Sequence, residues 1–285
     1  MPSDPVMSVR HRQLSAELRR LRQARGVNAA EVADAMGWDR TKVNRMERGK
    51  WKRLNPQDIR ALAEYYGVSE GQERDALVEL AKQSKLKGWW ERYGDLLGSS
   101  SYVALEAEAE SLWSYEALVI PGLFQTADYA SAMLRGRVSL DVIERRTQLR
   151  LARQERLHGA GALSVCSVID EAALRKFIGS AEIMRAQLRH LIAANEQPNV
   201  ELRIVPNSAG AHPGVAGQFV VLDFPLAPGA SVVFLENAHD GFYLDDPAHV
   251  EQYRHIYNGV RELSLDVHQS VEFMRGLHDE LEWPS

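Results

Sequence analysis

Leu14, Leu18 and Leu21 return at intervals of four and three, while Arg19, Arg20, Arg22 and Arg25 fill the other faces. That period predicts a helix over 13–24, closed by Gly26. Residues 28–36, NAAEVADAM, repeat the amphipathic pattern over a shorter span, and Gly37 with Trp38 reads as a tight turn. Asp39 is a good N-cap for a third helix, in which Val43 and Met46 sit three apart on one face. Arg40, Thr41, Lys42, Asn44 and Arg45 occupy the rest of it with nothing apolar among them. Two short helices across a glycine-led turn have helix-turn-helix spacing. Pro56 opens a fourth helix with the stripe Ile59, Leu62, Ala63 and Tyr66, ended by Gly67. Ser69 is placed to cap a fifth, which carries Ala76, Leu77 and Leu80 and runs on to Lys87. The pattern predicts an all-α helix-turn-helix domain over residues 10–84.

From Leu86 to Tyr102 the chain reads LKGWWERYGDLLGSSSY, an aromatic cluster followed by a Gly-Ser-Ser-Ser run, and residues 85–105 are assigned as a linker. Trp89 and Trp90 suit packing of one domain against the next better than a stacking platform for bases. Glu106 to Tyr115 reads as helical, and Thr126, at the end of PGLFQT, is placed to cap ADYASAMLRG. A longer helix from about Ser139 to Leu157 bears Arg145, Arg146, Arg150, Arg153, Gln154 and Arg156. This basic run is read as a solvated, salt-bridged face in preference to a phosphate site. The period then turns extended. Leu163 to Ile169 and Val200 to Pro206 are short strands, separated by two helices that Asp170 and Ser180 would cap. Gln218 to Phe224 and Ser231 to Glu236 are apolar on both faces, which calls for a sheet covered by helices. Asp246 caps a helix with Pro247 in its first turn and Val250, Tyr253, Tyr257 and Val260 inward; Val271, Met274, Leu277 and Leu281 mark the last. Residues 106–285 are therefore expected to form an α+β domain.

The net charge of -5 hides a polarity along the chain. Residues 10–88 hold 18 lysines and arginines against 11 aspartates and glutamates, a net of +7, and the remainder holds 16 against 28, a net of -12. The basic part is drawn to phosphate and the acidic part repelled by it, so one end should face nucleic acid. No apolar run approaches the roughly 20 residues of a membrane helix, and MPSDPVMSVRHRQ lacks the apolar segment of a signal peptide. A cytoplasmic location with no membrane partner is expected. The single cysteine, Cys166, forbids an intrachain disulfide and a cysteine-cluster metal site. In the run ALSVCSVI it reads as a buried strand residue rather than a nucleophile.

The stretch LRRLRQARGVNAAEVADAMGWDRTKVNRMERGKW, followed by PQDIRALAEYYGVS, resembles the phage-repressor and Cro-like helix-turn-helix domains of the XRE family. The matching features are Arg22 and Gly26, Glu31-Val32-Ala33, Gly37, and Val43 with Met46-Glu47-Arg48-Gly49. Where that family usually has a phosphate-contacting Gln, this chain has Ala29, and Glu47 is expected to be structural. GWW, PGLFQT with Tyr129-Ala130, RLARQERL, DEAALRKFIG, QLRHL and SAGAHPGVAGQF followed by VVFLEN are similar to the C-terminal domain of an actinobacterial group of XRE regulators. That domain is described as antitoxin-like, and the resemblance implies a small protein partner encoded by an adjacent gene.

As a recognition helix, residues 39–49 place Arg40 and Arg45 on base edges in the major groove, supported by Thr41, Lys42 and Asn44. Lys50, Lys52 and Arg53 follow in a turn that leaves the groove and are expected on phosphate. The chain lacks HExxH, CxxC, P-loop and GxSxG spacings, and His249 and His255 are six apart, a poor separation for sharing a ligand. His212, beside Pro213 in the glycine-rich loop 207–217, is the one histidine kept as a candidate for ligand or partner binding, against the alternative of an exposed loop residue. The favoured function is a sequence-specific regulator, bound to double-stranded DNA as a homodimer, whose acidic domain receives a protein or small-molecule signal. The alternative is an antitoxin-like protein that neutralises a small partner and regulates its own synthesis. An enzyme fused to a helix-turn-helix ranks last; no catalytic residue, metal or cofactor is expected.

Overall fold

The computed structural model describes residues 9–49, 51, 54–83, 88–97, 102–224, 231–237 and 241–281. The chain divides into two units, Met1–Arg92 and Tyr93–Ser285.

The first unit is built from α1 (Val9–Ala24), α2 (Ala29–Met36), α3 (Arg40–Glu47), α4 (Pro56–Tyr65) and α5 (Gln72–Gln83). Local signals set most of the boundaries. Asn28 and Glu31 form a capping box on α2, Asp39 caps α3 through the Thr41 amide, and Asn55 caps α4 ahead of Pro56. Gly37 ends α2 at φ 64 and ψ 33, a left-handed conformation that side chains with a Cβ adopt at a cost. Leu14, Leu18, Val32, Ala33, Val43, Met46, Ile59 and Leu62 meet in one core. Ser69 does not cap α5, which begins three residues later, after Gly71 at φ 139 interrupts the helical path. The expected continuation to Lys87 lies outside the described residues.

A 3-10 turn, Trp89–Tyr93, precedes the elements of the second unit: α6 (Gly94–Leu97), α7 (Tyr102–Glu108), β1 (Ser111–Glu116), α8 (Ala127–Leu134), α9 (Leu140–Gln154), β2 (Ser164–Asp170), α10 (Glu171–Arg175), α11 (Ala181–Ala194), β3 (Val200–Val205), β4 (Phe219–Asp223), β5 (Ser231–Glu236), β6 (Gly241–Leu244), α12 (Pro247–Leu263) and α13 (Val267–Glu280). Residue 106 falls inside α7. The six strands form one sheet in the order β3-β2-β1-β4-β5-β6, with β1, β2 and β3 parallel and the remaining pairings antiparallel. The domain is α+β.

Two strands depart from the sequence reading. The expected helix 106–115 gives way after Glu108 to β1, a central strand paired with β2 on one side and β4 on the other. Leu112 and Tyr115, three apart, fit a helical stripe, but two neighbouring strands supply the ladder, and this tertiary context overrides the local pattern. The short β6 was not expected at all; it is an edge strand of four residues. On one face of the sheet, Tyr115, Val168, Phe219, Val221 and Val233 pack against Val250, Tyr257 and Val260 of α12. The opposite face carries Ser114 and Ser167, whose buried hydroxyls bond across β1 and β2 at 2.7 Å, and Phe234, which meets the Tyr102 ring of α7 at 4.5 Å.

PGLFQT lies between β1 and α8 and is held by α11. Gln187, fully buried, donates to the Phe124 carbonyl at 2.6 Å and accepts from the Thr126 amide at 2.8 Å. Leu123 and Phe124 enter the core, Thr126 caps α8, and Gly122 faces the Arg153 guanidinium, which would stand 3.1 Å from a Cβ placed there.

Candidate nucleic-acid interface

α3 has two faces of different chemistry. Val43 and Met46 are 1% and 2% exposed and anchor it to the core. Arg40, Thr41, Asn44, Arg45 and Arg48 are all exposed, and at 3.6 residues per turn they share one continuous arc on the opposite side. Arg48, at the C-cap, is not among the DNA contacts expected from sequence; its spacing of eight from Arg40 is the signal that places it on the same arc. Thr41 donates its hydroxyl to the Asp39 carboxylate, in addition to the backbone bond that caps the helix. These two bonds hold the Asp39 carboxyl below its ordinary value.

Lys42 is placed differently from the other four predicted base contacts. It lies on the flank of the buried stripe, its ammonium 2.7 Å from Asp58 Oδ2 on α4 and 3.7 Å from the centre of the Trp38 ring. This side chain braces the turn and α4 against α3. The other end of the helix is fixed by Glu47, only 6% exposed at its side chain, which takes a two-pronged bond from Arg22 Nε at 2.6 Å and Nη2 at 2.9 Å. Arg22 also donates to the Val27 carbonyl at 2.9 Å, so one guanidinium ties α1, the loop before α2 and α3 together. Glu47 is thus engaged in holding the helix. Trp51 Nε1 donates to Ser15 Oγ at 3.1 Å and to the Met46 carbonyl at 3.2 Å, which fixes the exit from α3. Lys50, Lys52 and Arg53 lie outside the described residues. Ala29 is half-buried against the core.

Residues 13–77 match the family model of a helix-turn-helix domain, and residues 99–276 match that of a domain of unknown function, DUF5753. The chain belongs to the DUF5753 family. No curated protein and no solved structure matches it. Its helix-turn-helix domain makes this family member a DNA-binding regulator, and α3 exposes five polar side chains within that domain.

The candidates in the DUF5753 unit fall into place structurally. His212 is not an exposed loop residue: its side chain is 7% exposed, Nδ1 accepts from the Gly214 amide at 3.2 Å, Nε2 lies 3.6 Å from Asp170 Oδ2, and the ring stands edge-on to Tyr115 at 5.3 Å. Loop 207–217 is wound into two 3-10 turns, Asn207–Ala209 and Pro213–Ala216, with Gly214 pressed against Tyr115 and Val260. Cys166 lies on β2 as expected but is only half-buried, beneath Tyr257, whose hydroxyl donates to its carbonyl at 3.1 Å. Trp89 and Trp90 stand edge-on to each other at 6.0 Å.

The basic run of α9 is not one solvated face. Arg145 does pair at the surface, with Asp95, but Arg153 turns inward and bonds both oxygens of Glu106 at 2.7 Å. Glu106 is 1% exposed. Among the described residues no group of three or more His, Cys, Asp or Glu is disposed to hold a metal, and no helix is long and apolar enough to cross a membrane.

Proposed function

We propose that this chain is a sequence-specific transcription regulator of the XRE kind, working in the cytoplasm without catalytic chemistry of its own. Arg40, Asn44 and Arg45 read base edges in the major groove, with Thr41 beside them, and Arg48 contacts the flanking backbone together with Lys50, Lys52 and Arg53. The observation that carries this reading is the arc of α3, five polar residues exposed on one side while Lys42 and Glu47 are occupied in bracing the other. One recognition helix covers only a few base pairs, so the protein acts as a homodimer on two half-sites about one helical turn apart. The acidic DUF5753 unit receives the signal. A small cationic protein from an adjacent gene is a second occupant for it, favoured by the net charge of -12 outside residues 10–88.

The test is selection of an operator from a random-sequence pool, followed by titration of variants at several salt concentrations. Arg45→Ala should cost about 1–3 kcal/mol on the selected site and relax preference at one base position. Lys42→Ala should lower the stability of the first unit by about 1 kcal/mol without relaxing any base position. If Arg40→Ala and Arg45→Ala both bind the selected site as tightly and selectively as the parent, the groove assignment is wrong.

A further inference from the structure

On the sheet face opposite α12, a cavity of about 460 Å³ opens between β1, β4 and β5 and the helices α7 and α9. That volume lies within the range of small-molecule sites. Its walls are divided by chemistry. Val103, Ile120, Leu149, Val220 and Phe234 give apolar surface, and Arg146, Arg150, Glu116, Glu236 and Gln125 give polar surface. We propose that this cavity binds a small amphipathic organic anion, whose charged group is held by the guanidinium groups of Arg146 and Arg150.

The charges leave that role open. Arg153 is neutralised by Glu106, whereas Arg146 and Arg150 form no ion pair among the described residues, and Arg150 Nε is buried without a hydrogen-bond partner. A buried guanidinium without a paired carboxylate is costly, and an anion supplied from outside removes that cost. Burial, with Arg153 and Arg146 adding repulsion, outweighs the attraction of Glu236 and pulls Arg150 down to about 10, so the group is charged at neutral pH but strained by its surroundings. The other carboxylate of the cavity wall does not compensate. Glu116 is pushed up to about 8 by burial and by Glu236, so at neutral pH it is mostly protonated and offers a donor. Gln125, 2% exposed, uses its amide N–H on the Ile120 carbonyl at 2.7 Å, and its Oε1, like that of Gln218 on the same wall, has no partner among the described residues. Free acceptors beside unpaired cations fit a ligand with one anionic group and a hydrogen-bond donor on an apolar frame. PGLFQT shapes this wall: Gly122 lets Arg153 lie close, and Gln125 follows three residues on.

The inference rests on the reading of the second unit as a signal receiver only for its regulatory meaning, because binding is measured on the full chain without DNA. The probes are 8-anilinonaphthalene-1-sulfonate and its uncharged analogue N-phenyl-1-naphthylamine, followed by fluorescence. The sulfonate should bind one per chain and at least about ten-fold tighter than the neutral analogue. Arg150→Gln should weaken the sulfonate about ten-fold and leave the analogue unchanged, while Arg150→Lys, which keeps the charge, retains most of the affinity. Val119→Trp, on the cavity wall, should weaken both probes. Circular dichroism of each variant separates lost binding from lost fold. Equal affinity for the two probes, no effect of Arg150→Gln in a folded variant, or no effect of Val119→Trp would overturn the proposal; failure to select an operator would overturn only the DNA-binding assignment.

Discussion

Replacing Glu106 by Gln removes one charge from a deeply buried ion pair of the second unit and changes almost nothing in volume. Glu106 and Arg153 have side-chain exposures of 1% and 13% and share two bonds of 2.7 Å. Burial alone would weaken the Arg153 charge, but Glu106 outweighs it and holds the guanidinium above its ordinary value. In Glu106→Gln that cation stays in place with Arg150 and Arg146 nearby, and it loses its bonded carboxylate and keeps the longer-range attraction of Glu236. Breaking a buried pair from one side costs about 3–5 kcal/mol. For a unit of the size of Tyr93–Ser285, each kcal/mol moves the midpoint by about 2–4 °C, so its thermal transition should fall by roughly 6–20 °C. Calorimetry of the full chain reads this, with the transition of the helix-turn-helix unit as an internal reference. Glu106→Leu with Arg153→Met replaces the pair by apolar groups and should recover most of the loss. A fall below about 3 °C for Glu106→Gln, or a double variant as unstable as the sum of the single ones, would refute the assignment of the cost to an uncompensated charge.

Glu116 gives the second unit a pH dependence of definite sign. Its folded value, about 8, lies above that of the unfolded chain, so the folded state holds a proton that the unfolded state releases. Stability therefore falls as pH rises from about 4.5 to 8, by roughly 2–3 kcal/mol once its partial exposure is allowed for. The groups around it are Glu236 on β5, Arg146, Arg150 and Arg153 on α9, and Tyr102 on α7. Arg150 remains charged throughout that window and adds no slope to it. Urea titrations at pH 5 and pH 9 should show the difference in the parent and lose it in Glu116→Gln; a difference that persists in the variant assigns it elsewhere. Gly214→Ala should destabilise the second unit by about 1–3 kcal/mol, because the added methyl would lie 2.9 Å from the Tyr115 ring and 3.0 Å from Val260. Unfolding midpoints measure this, and an unchanged midpoint would mean that loop 207–217 is free to move away.

The sequence by itself determined the helix-turn-helix unit almost completely, because its signals act within one or two turns of helix. Asp39 caps α3, Pro56 opens α4, Gly37 closes α2, and the stripes Leu14-Leu18 and Val43-Met46 point inward. The same was true of Thr126, Asp170, Ser180 and Asp246 in the second unit. Contacts between distant segments decided the rest. Whether Ser111–Glu116 is helix or strand depends on β2 and β4, more than 40 residues away, since its own period admits both. Lys42 and Arg45 look alike in the chain, and only the position of Asp58 and Trp38 assigns the first to bracing and leaves the second exposed. The arginines of α9 likewise differ only by what faces them: Asp95 at the surface for Arg145, Glu106 in the interior for Arg153, and the cavity for Arg150. A charge is visible in the sequence, but its counter-charge and its solvent are set by tertiary packing.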